Sequence, residues 1–551
     1  MELLKLLLRQ TGSGRNKLIL FSALAGLSNV LLLAILNIAA EDAVHRIRGF
    51  GLPVIFTLVV SISVLSQKFV WRNANEAAEA VVHDIRTRIM RKVAGCGLEA
   101  LERVGPAELH AAVRQHTYTI TISAPPLVIS LQNVLVVVFT GLYLAILSLP
   151  AFVVATCAIG VALANSVRQA RRMNALFDKS LAAEQKMHGA LSDLLDGFKE
   201  VKLNKLRETE LMREANVLSI GARDSRIETG MAMAGSFIGM QTGLYFLLAA
   251  LVFLVPQFSA AAAYSEIAVK ITTAGLFVLG PITGIFAIMP ALTHADVAIA
   301  AIRRTEARLD AERDEGETPT DAMSPSVERF ASLAMDEVTF VYTSAAQGER
   351  SFSIGPLSFA VRAGEIVFVT GGNGSGKTTM LRVLLGLYMP ATGVVRVNGE
   401  PVSELGNLRS LFATVLSDYH LFSRAYGIAA PDRKRVDELL ARMGLTGKTR
   451  WHDGGFTTLN LSSGQRKRLA LIVAILEDRP IVVFDEWAAD QDPNFRRIFY
   501  EEILPDLRAA GKTVIAVTHD DRYFAYADRH LHMAEGQIAE LTQGAQVSYG
   551  S

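Results

Sequence analysis

Four residues within segment 366–381 have the types and spacing needed to hold phosphate. Gly371, Gly376, Lys377 and Thr378 fit G-x-x-x-x-G-K-[ST], between a short apolar run and a helical pattern. Glycines let the backbone bend so that successive N–H groups face phosphate oxygens, and the helix N-terminus adds its positive end. The lysine would reach the β- and γ-phosphates, and the threonine hydroxyl would hold Mg²⁺. The pattern predicts a nucleotide site, and an ordinary glycine turn is the alternative.

Two acids follow a second apolar run, IVVFDE, at residues 481–486. At the carboxyl end of a strand beside the phosphate loop, Asp485 can hold Mg²⁺ directly or through water. Glu486 is then placed to polarise an attacking water as a general base. The alternative is that the pair only caps a strand.

Two further elements could contact the same phosphates. In the sequence LSSGQ, a helix is predicted to begin near Gln465, so the residues before it offer N–H groups and hydroxyls to an anion. These residues are Ser462, Ser463 and Gly464. His519 follows the apolar run TVIAVT and could bond a γ-phosphate oxygen or the attacking water, although a lone histidine is more often structural.

The elements that would position these groups lie in the C-terminal part of the chain. From Ser332 onward, short apolar runs (VTFVY, IVFVT, GVVRV, IVVFD and TVIAVT) are interspersed with helical patterns. This order predicts an α/β domain with a largely parallel core sheet. We assign residues 332–551 to this domain and 1–305 to an N-terminal domain. The charged and proline-containing segment 306–331 is predicted to be a linker.

The N-terminal domain has the composition of a membrane protein. Half of all residues are hydrophobic and the mean hydropathy is +0.30. Charge-free windows predict six membrane-spanning helices. They lie at 18–40, 49–67, 126–149 and 151–167, within 229–265, and at 271–295, with a turn at Pro150 between the third and fourth.

The charge and the cysteines of the whole chain argue against two other classes of protein. The net charge of +1 argues against a nucleic-acid binder. The two cysteines, Cys96 and Cys157, lack the spacing of a metal site.

Two long charged segments, 72–116 and 168–228, separate the predicted spans. Their helical patterns predict arms that extend beyond the membrane and reverse near residues 95–105 and 197. Lysine and arginine lie before the first span and after the second, fourth and sixth, which predicts cytoplasmic termini. The arms are long enough to contact a cytoplasmic domain; solvated hairpins are the alternative.

Polar amide side chains within the predicted spans either face a transport pathway or join helices. They are Asn29, Asn37, Gln132, Asn133 and Gln241.

Together these motifs resemble the ATP-binding cassette (ABC) transporters, and the six spans resemble the exporter type. GGNGSGKTT is similar to the family's Walker A, LSSGQ to its signature, IVVFDE to its Walker B and His519 to its switch histidine. Tyr342, in VTFVY, resembles the aromatic that stacks on adenine. The resemblance implies phosphate contacts along the whole Walker A, at Gly371, Gly372, Asn373, Gly374, Ser375, Gly376, Lys377, Thr378 and Thr379, and at Ser462, Ser463, Gly464 and Gln465 of the signature.

Some residues depart from the family pattern. Ser417 stands where the family usually has a glutamine, so either this serine, Asp418 or water would have to contact the metal. The segment DEWAADQDP keeps the usual Asp492 but has Ala489, Asp490 and Gln491 before it. These traits are similar to bacterial exporters of cyclic or nonribosomal peptides and siderophore precursors.

The resemblance implies an all-α transmembrane domain of the type IV exporter kind followed by an α/β P-loop NTPase domain. It implies ATP and Mg²⁺ as cofactors. It also implies a second copy of the chain as partner, because members of the family bind ATP between the Walker A of one nucleotide-binding domain and the signature of another. It also implies the bacterial inner membrane, with the ATPase domain in the cytoplasm. A multidrug exporter or a lipid flippase of the same architecture is the alternative function. An ATP-gated channel or membrane-bound regulator is the alternative to transport.

Overall fold

The computed structural model describes residues 2–10, 15–44, 51–258, 264–311, 329–342, 352–402, 404–428 and 431–541. The chain forms two compact units. One contains Met1–Arg91 and Pro106–Ala307, and the other contains Lys92–Gly105 and Arg308–Ser551. A short piece of the first arm therefore belongs to the C-terminal unit. Of the predicted linker, residues 306–311 are helical and 312–328 lie outside the described residues.

Helices make up the described part of the chain before the first strand. They are α1 (Glu2–Gln10), α2 (Arg15–Val44), α3 (Gly51–Ala94), α4 (Leu98–Val104), α5 (Pro106–His110), α6 (Thr117–Leu147), α7 (Leu149–Asp196), α8 (Phe198–Leu203), α9 (Lys205–Ala249), α10 (Tyr264–Ala287) and α11 (Met289–Ala311). Short π-helical segments at Ala111–His116 and Ala250–Leu254 and a 3₁₀ turn at Val255–Phe258 join some of them.

Five described helical stretches are long and apolar enough to cross a membrane: Asn16–Asp42, Gly51–Ala94, Pro106–Leu147, Lys205–Gln257 and Ile267–Ala311. The predicted fourth span corresponds to the shorter apolar helix Leu149–Asn165, which continues as α7. The chain breaks at Ser148 rather than at Pro150, because the Ser148 hydroxyl accepts the Ala151 N–H (3.4 Å) and caps α7. The helical character of this domain is confirmed.

The predicted arms are continuous extensions of the apolar helices. Helix α3 is 44 residues long. Of the apolar residues that recur every four positions along it, Ala77, Val81, Ile85 and Ile89 are buried, and Val93 is partly buried. The long helices end near the predicted reversals, since α4 follows the end of α3 and α8 follows Gly197. Asn204 then begins α9 by accepting the Leu206 and Arg207 N–H groups.

Two of the amides in the spans join helices. Asn37 Nδ2 donates to the Tyr143 hydroxyl (3.1 Å), which links α2 to α6, and Ser63 Oγ donates to Asn29 Oδ1 (3.2 Å), which links α3 to α2. Such bonds hold helices together where water cannot compete for them. The structure therefore favours a packing role over a pathway role for these two residues.

The C-terminal unit contains two main sheets and a small hairpin. The strands are β1 (Ser332–Val341), β2 (Ser353–Arg362), β3 (Ile366–Gly371), β4 (Thr392–Val397), β5 (Glu400–Pro401), β6 (Phe412–Val415), β7 (Trp451–His452), β8 (Gly455–Phe456), β9 (Ile481–Asp485), β10 (Thr513–Val517), β11 (Arg529–Ala534) and β12 (Gln537–Leu541). The helices are α12 (Lys377–Leu384), α13 (Leu405–Arg409), α14 (Arg433–Arg442), α15 (Ser463–Leu476), α16 (Pro493–Ile498) and α17 (Leu504–Ala509).

The larger sheet has the order β12-β11-β3-β10-β9-β6, and all its neighbouring pairs are parallel except β11 with β12. Strands β3, β9 and β10 are fully buried because alternate side chains enter two different cores. The predicted parallel core is confirmed. The runs VTFVY and GVVRV instead lie in or overlap the second sheet, β2-β1-β4-β5, whose pairs are antiparallel.

Candidate nucleotide site

The phosphate loop requires glycine at two positions. Gly371 ends β3 with φ +145°, and a Cβ there would lie 2.2 Å from the Met533 carbonyl oxygen. Gly376 precedes α12 with φ +103°, and its Cβ would lie 2.7 Å from Ile354 Cγ2. Positive φ is disfavoured for residues with a Cβ. Glycine therefore lets the loop turn tightly between strand and helix, as the sequence pattern predicts.

Lys377 folds back over this loop. Its Nζ donates to the carbonyl oxygens of Gly371 (2.9 Å) and Gly372 (2.8 Å). Burial lowers the pKa of Lys377, while the nearby Glu486 and Asp485 oppose that shift. The side chain is thus held at the loop by two backbone carbonyl groups, and phosphate oxygens could replace these as its hydrogen-bond acceptors.

The loop also presents groups that a phosphate would satisfy. Ser375 Oγ is buried and has no hydrogen-bond partner among the described residues. Gly372, Asn373, Gly374 and Thr378 are exposed and open to a ligand. A buried hydroxyl left without a partner is costly, and a phosphate oxygen would remove that cost. The residues present therefore fit a nucleotide phosphate group.

Asp485 lies at the carboxyl end of β9 and is almost fully buried. Burial raises its pKa, whereas the hydrogen bond from Ser417 Oγ (2.9 Å) favours the charged form and opposes the rise. The serine that replaces the family's usual glutamine thus contacts the proposed metal ligand directly. In the described residues no group of three or more His, Cys, Asp or Glu could hold a metal alone. Mg²⁺ would need phosphate oxygens as further ligands, as is usual for this ion.

The predicted general base and the predicted switch histidine meet in the structure. His519 Nε2 lies 3.3 Å from Glu486 Oε1, and both side chains are partly exposed. They come together because β9 and β10 are parallel neighbours whose carboxyl ends meet at one sheet edge, where Val517 pairs with Asp485. Strand β3 lies on the other side of β10, so the phosphate loop emerges at the same edge.

Helix α15 begins at Ser463, earlier than the predicted start near Gln465. The reason is a capping box, in which Ser462 Oγ accepts the Gln465 N–H and Gln465 Oε1 accepts the Ser462 N–H. Ser463 and Gly464 therefore form the first helical turn instead of preceding it. In the described part of the chain, no hydrogen bond joins these signature residues to the phosphate loop.

Tyr342 belongs to an aromatic group beside α12. Its ring lies edge-on to Phe340 (centroids 5.1 Å apart) and Tyr388 (5.9 Å), and its hydroxyl bonds Thr379 Oγ1 (3.1 Å). This contact connects the proposed adenine-stacking residue to the Walker A threonine.

A link between α4 and this aromatic group was not predicted. The Tyr388 hydroxyl donates to Glu102 Oε2 (2.6 Å), and Arg382 Nη1 donates to Glu102 Oε1 (3.2 Å). Burial, the largest cause, raises the pKa of Tyr388. An acid in a predicted arm reversal was the only available signal. Glu102 thus joins the arm segment to the helix that follows the phosphate loop.

A phosphate loop and paired acids at one sheet edge, in a chain that also carries long apolar helices, define an ATP-driven membrane transporter. The family model for ABC transporters matches residues 354–489. The chain is 33% identical to the ATP-binding protein SyrD of Pseudomonas syringae pv. syringae over 558 residues, covering 97% of this chain and 95% of that protein.

Two other comparisons agree. An ATP-dependent lipid A-core flippase of Burkholderia pseudomallei (strain 1710b) is 32% identical over 241 residues, which cover 41% of this chain and 40% of the flippase. The structure of a bacterial Atm1-family ABC exporter with ATP bound has the same fold, with a TM-score of 0.76, 19% identity, and coverage of 97% and 95%. The chain belongs to the ABC transporter family, and it is an exporter that couples ATP hydrolysis to transport.

Proposed function

We propose that this exporter moves an amphipathic, peptide-like molecule across the bacterial cytoplasmic membrane, namely a cyclic or nonribosomal peptide or a siderophore precursor. A cavity in the N-terminal unit carries the proposal. It has a volume of about 630 Å³, within the usual range for small-molecule sites, and is lined by residues of α7, α9, α10 and α11 and the adjoining turns.

The lining of the cavity indicates the chemistry of its cargo. It is mostly apolar and includes the flexible side chains Met173, Met233, Met240 and Met289. Its polar groups are amides and hydroxyls: Asn165, Gln169, Ser236 and Thr293. Among the described residues that line it, none carries an Asp, Glu, Lys or Arg side chain. Methionine adapts to irregular apolar shapes, and a buried ligand charge without a partner is costly. An uncharged molecule with apolar and amide groups fits best.

The geometry of the C-terminal unit supports the following proposed ATPase roles. Thr378, Asp485 and Ser417 would hold Mg²⁺, which supplies charge neutralisation at the phosphates when bound. Glu486 would orient and deprotonate the attacking water, and His519, 3.3 Å away, would fix the carboxylate and contact the γ-phosphate. Tyr342 would stack on adenine.

Each chain has one phosphate loop and one LSSGQ segment. We propose that two copies of this chain associate, so that Ser463 and Gly464 of one copy face the γ-phosphate held by the loop of the other. Glu102 bonds Tyr388 and Arg382 within the C-terminal unit, and we propose that this contact takes part in coupling the closure of the ATPase domains to transport.

A lipid flippase is the second candidate, and the flippase relative favours it. That likeness covers 41% of the chain, whereas the SyrD alignment covers 97%. A flippase cargo with phosphate groups would also bring charges that the described cavity lining does not neutralise.

ATP turnover in liposomes tests the proposal. Neutral cyclic peptides, neutral siderophore precursors, phosphorylated lipids and cationic dyes would be compared as stimulators of the purified protein. We expect the neutral peptides to stimulate most. Stimulation by phosphorylated lipid alone would favour the flippase and remove the peptide proposal.

A pair of variants on α9 tests the cavity itself. A Cβ at Gly239, which lines the cavity, or at Gly221, which does not, meets nothing within 4 Å, so neither leucine substitution begins with a clash. Gly239→Leu should fill the cavity and reduce the ratio of stimulated to unstimulated turnover, whereas Gly221→Leu should retain it. Equal ratios in the two variants would show that the cargo binds elsewhere.

A further inference from the structure

Lys467 is a buried cation in α15. Only 6% of the residue is exposed, yet its Nζ lies 2.7 Å from Asp490 Oδ2 and donates to the Glu486 carbonyl oxygen at 3.0 Å. A buried ammonium is tolerated only when charged or strongly polar groups surround it. Both of these partners lie in the segment that begins with the proposed general base.

The backbone of Glu486 has an unusual conformation. Its φ is +49°, in the left-handed region that residues with a Cβ rarely adopt. Its N–H donates to the Val517 carbonyl oxygen (3.1 Å), and its own carbonyl accepts the Lys467 ammonium. The backbone is therefore held on both sides of Cα. Because the side chain leaves from that Cα, these bonds fix the direction in which the carboxylate points.

Other bonds join the same two elements. Trp487 Nε1 donates to the Lys467 carbonyl oxygen (3.0 Å), and the Trp487 side chain is fully buried. Gln491 Nε2 donates to the Gly464 carbonyl oxygen (3.2 Å). The beginning of α15 and residues 486–491 are thus joined by several hydrogen bonds and one ion pair.

We propose that Lys467 is a positioning residue for ATP hydrolysis, which acts by holding Glu486 in its left-handed turn so that the carboxylate faces the attacking water. The proposal rests on the proposed role of Glu486 as general base. In a dimer, Lys467 would also connect the general base of one ATP site to the signature turn that serves the other.

The test compares Lys467→Met with Lys512→Met. Lys512, which is partly buried and lies away from the site, bonds the same kinds of group: its Nζ contacts Asp478 Oδ1 (2.8 Å) and donates to the Asp478 carbonyl oxygen (3.1 Å). Turnover, KM for ATP and nucleotide affinity would be measured for each variant, alone and combined with Glu486→Gln. A small displacement of a catalytic group costs up to about a hundredfold in rate.

We expect Lys467→Met to lower kcat by about ten- to a hundredfold with nucleotide affinity within about twofold of the unmodified protein. Lys512→Met should leave kcat within about twofold. In the Glu486→Gln background, Lys467→Met should cause no further fall, because its effect passes through the carboxylate. Residues that act as one unit show this non-additivity.

An equal fall in both backgrounds, or no fall in either, would overturn the proposal. Asp490→Asn provides a second measurement if Lys467→Met does not fold: it removes the charged partner and leaves the Glu486 carbonyl contact. It should give a smaller fall in kcat that also disappears in the Glu486→Gln background, and persistence of that fall would count against the proposal. Retained turnover in Glu486→Gln alone would refute the general base instead.

Discussion

The nucleotide site and the cavity of the N-terminal unit differ in how their polar groups are held. At the nucleotide site, Lys377, Asp485 and Lys467 are buried, and each contacts identified backbone or side-chain partners. In the cavity, apolar and methionine side chains predominate, and Gly239 and Gly243 leave open space beside the backbone. The reaction requires atoms at fixed positions, whereas a cargo site can adapt its shape. We therefore expect small substitutions to have large effects in the first region and small effects in the second.

The largest expected effect comes from Glu486→Gln. The amide keeps the shape of the side chain but cannot accept the proton of the attacking water, so ATP should bind while turnover falls by about two to four orders of magnitude. Nucleotide affinity and phosphate release, measured on the same sample, check this. Glu502→Gln, exposed in the same unit, is the control and should turn over normally. Full turnover in Glu486→Gln would remove the general base from the mechanism.

A second experiment places the same substitution in each region. Gly371→Ala puts a Cβ 2.2 Å from the Met533 carbonyl oxygen, so it should lower the melting temperature and weaken nucleotide binding by at least about tenfold. Gly243→Ala in α9 meets nothing within 4 Å and should be neutral, or stabilising by about 0.5–1 kcal/mol, because alanine favours helix. Thermal melts and nucleotide titrations measure both. Comparable losses in the two variants would contradict the contrast between the regions.

The smallest expected effect is a shift in pH dependence from Ser417→Ala. The serine hydroxyl stabilises the charged form of Asp485, so its removal should raise the pKa of Asp485 further above its ordinary value. At pH values above the pKa of Asp485 in both the variant and the unmodified protein, turnover should change little. On acidification, the variant should lose activity at a higher pH than the unmodified protein does. Higher Mg²⁺ should oppose the loss because metal and proton compete for the carboxylate. If turnover falls at the same acidic pH in both proteins, Ser417 does not affect the pKa of Asp485.

Much of the nucleotide site was predictable because its chemistry depends on short local patterns. The glycines and Lys377 occur within one loop, and Asp485 and Glu486 follow one apolar strand, so their types and spacing were sufficient. The contact between Glu486 and His519 was not predicted, because it depends on β9 and β10 being parallel neighbours, which the sequence pattern does not specify. The structure places these residues at the ends of the strands and in the loop that the patterns predict, while their roles in hydrolysis remain predictions.

The contacts of Lys467 and Glu102 could not be predicted, because each joins residues distant in sequence or separate elements. Lys467 stands one turn into α15, where a lysine usually faces solvent, and only its tertiary contacts show it to be buried. Membrane patterns were also incomplete: hydropathy located the apolar segments, but the break at Ser148 depends on a hydroxyl cap. The early start of α15 likewise depends on the reciprocal cap of Ser462 and Gln465.

The assignment of Lys92–Gly105 to the C-terminal unit has a consequence for protein engineering. A hybrid made by exchanging only the part of the chain after the linker would leave Glu102 facing a foreign Tyr388 and Arg382 surface. Such a hybrid could hydrolyse ATP and still fail to transport. Exchanging α4 together with the C-terminal part would preserve the native bonds. The unit to exchange therefore consists of two separate segments of the sequence.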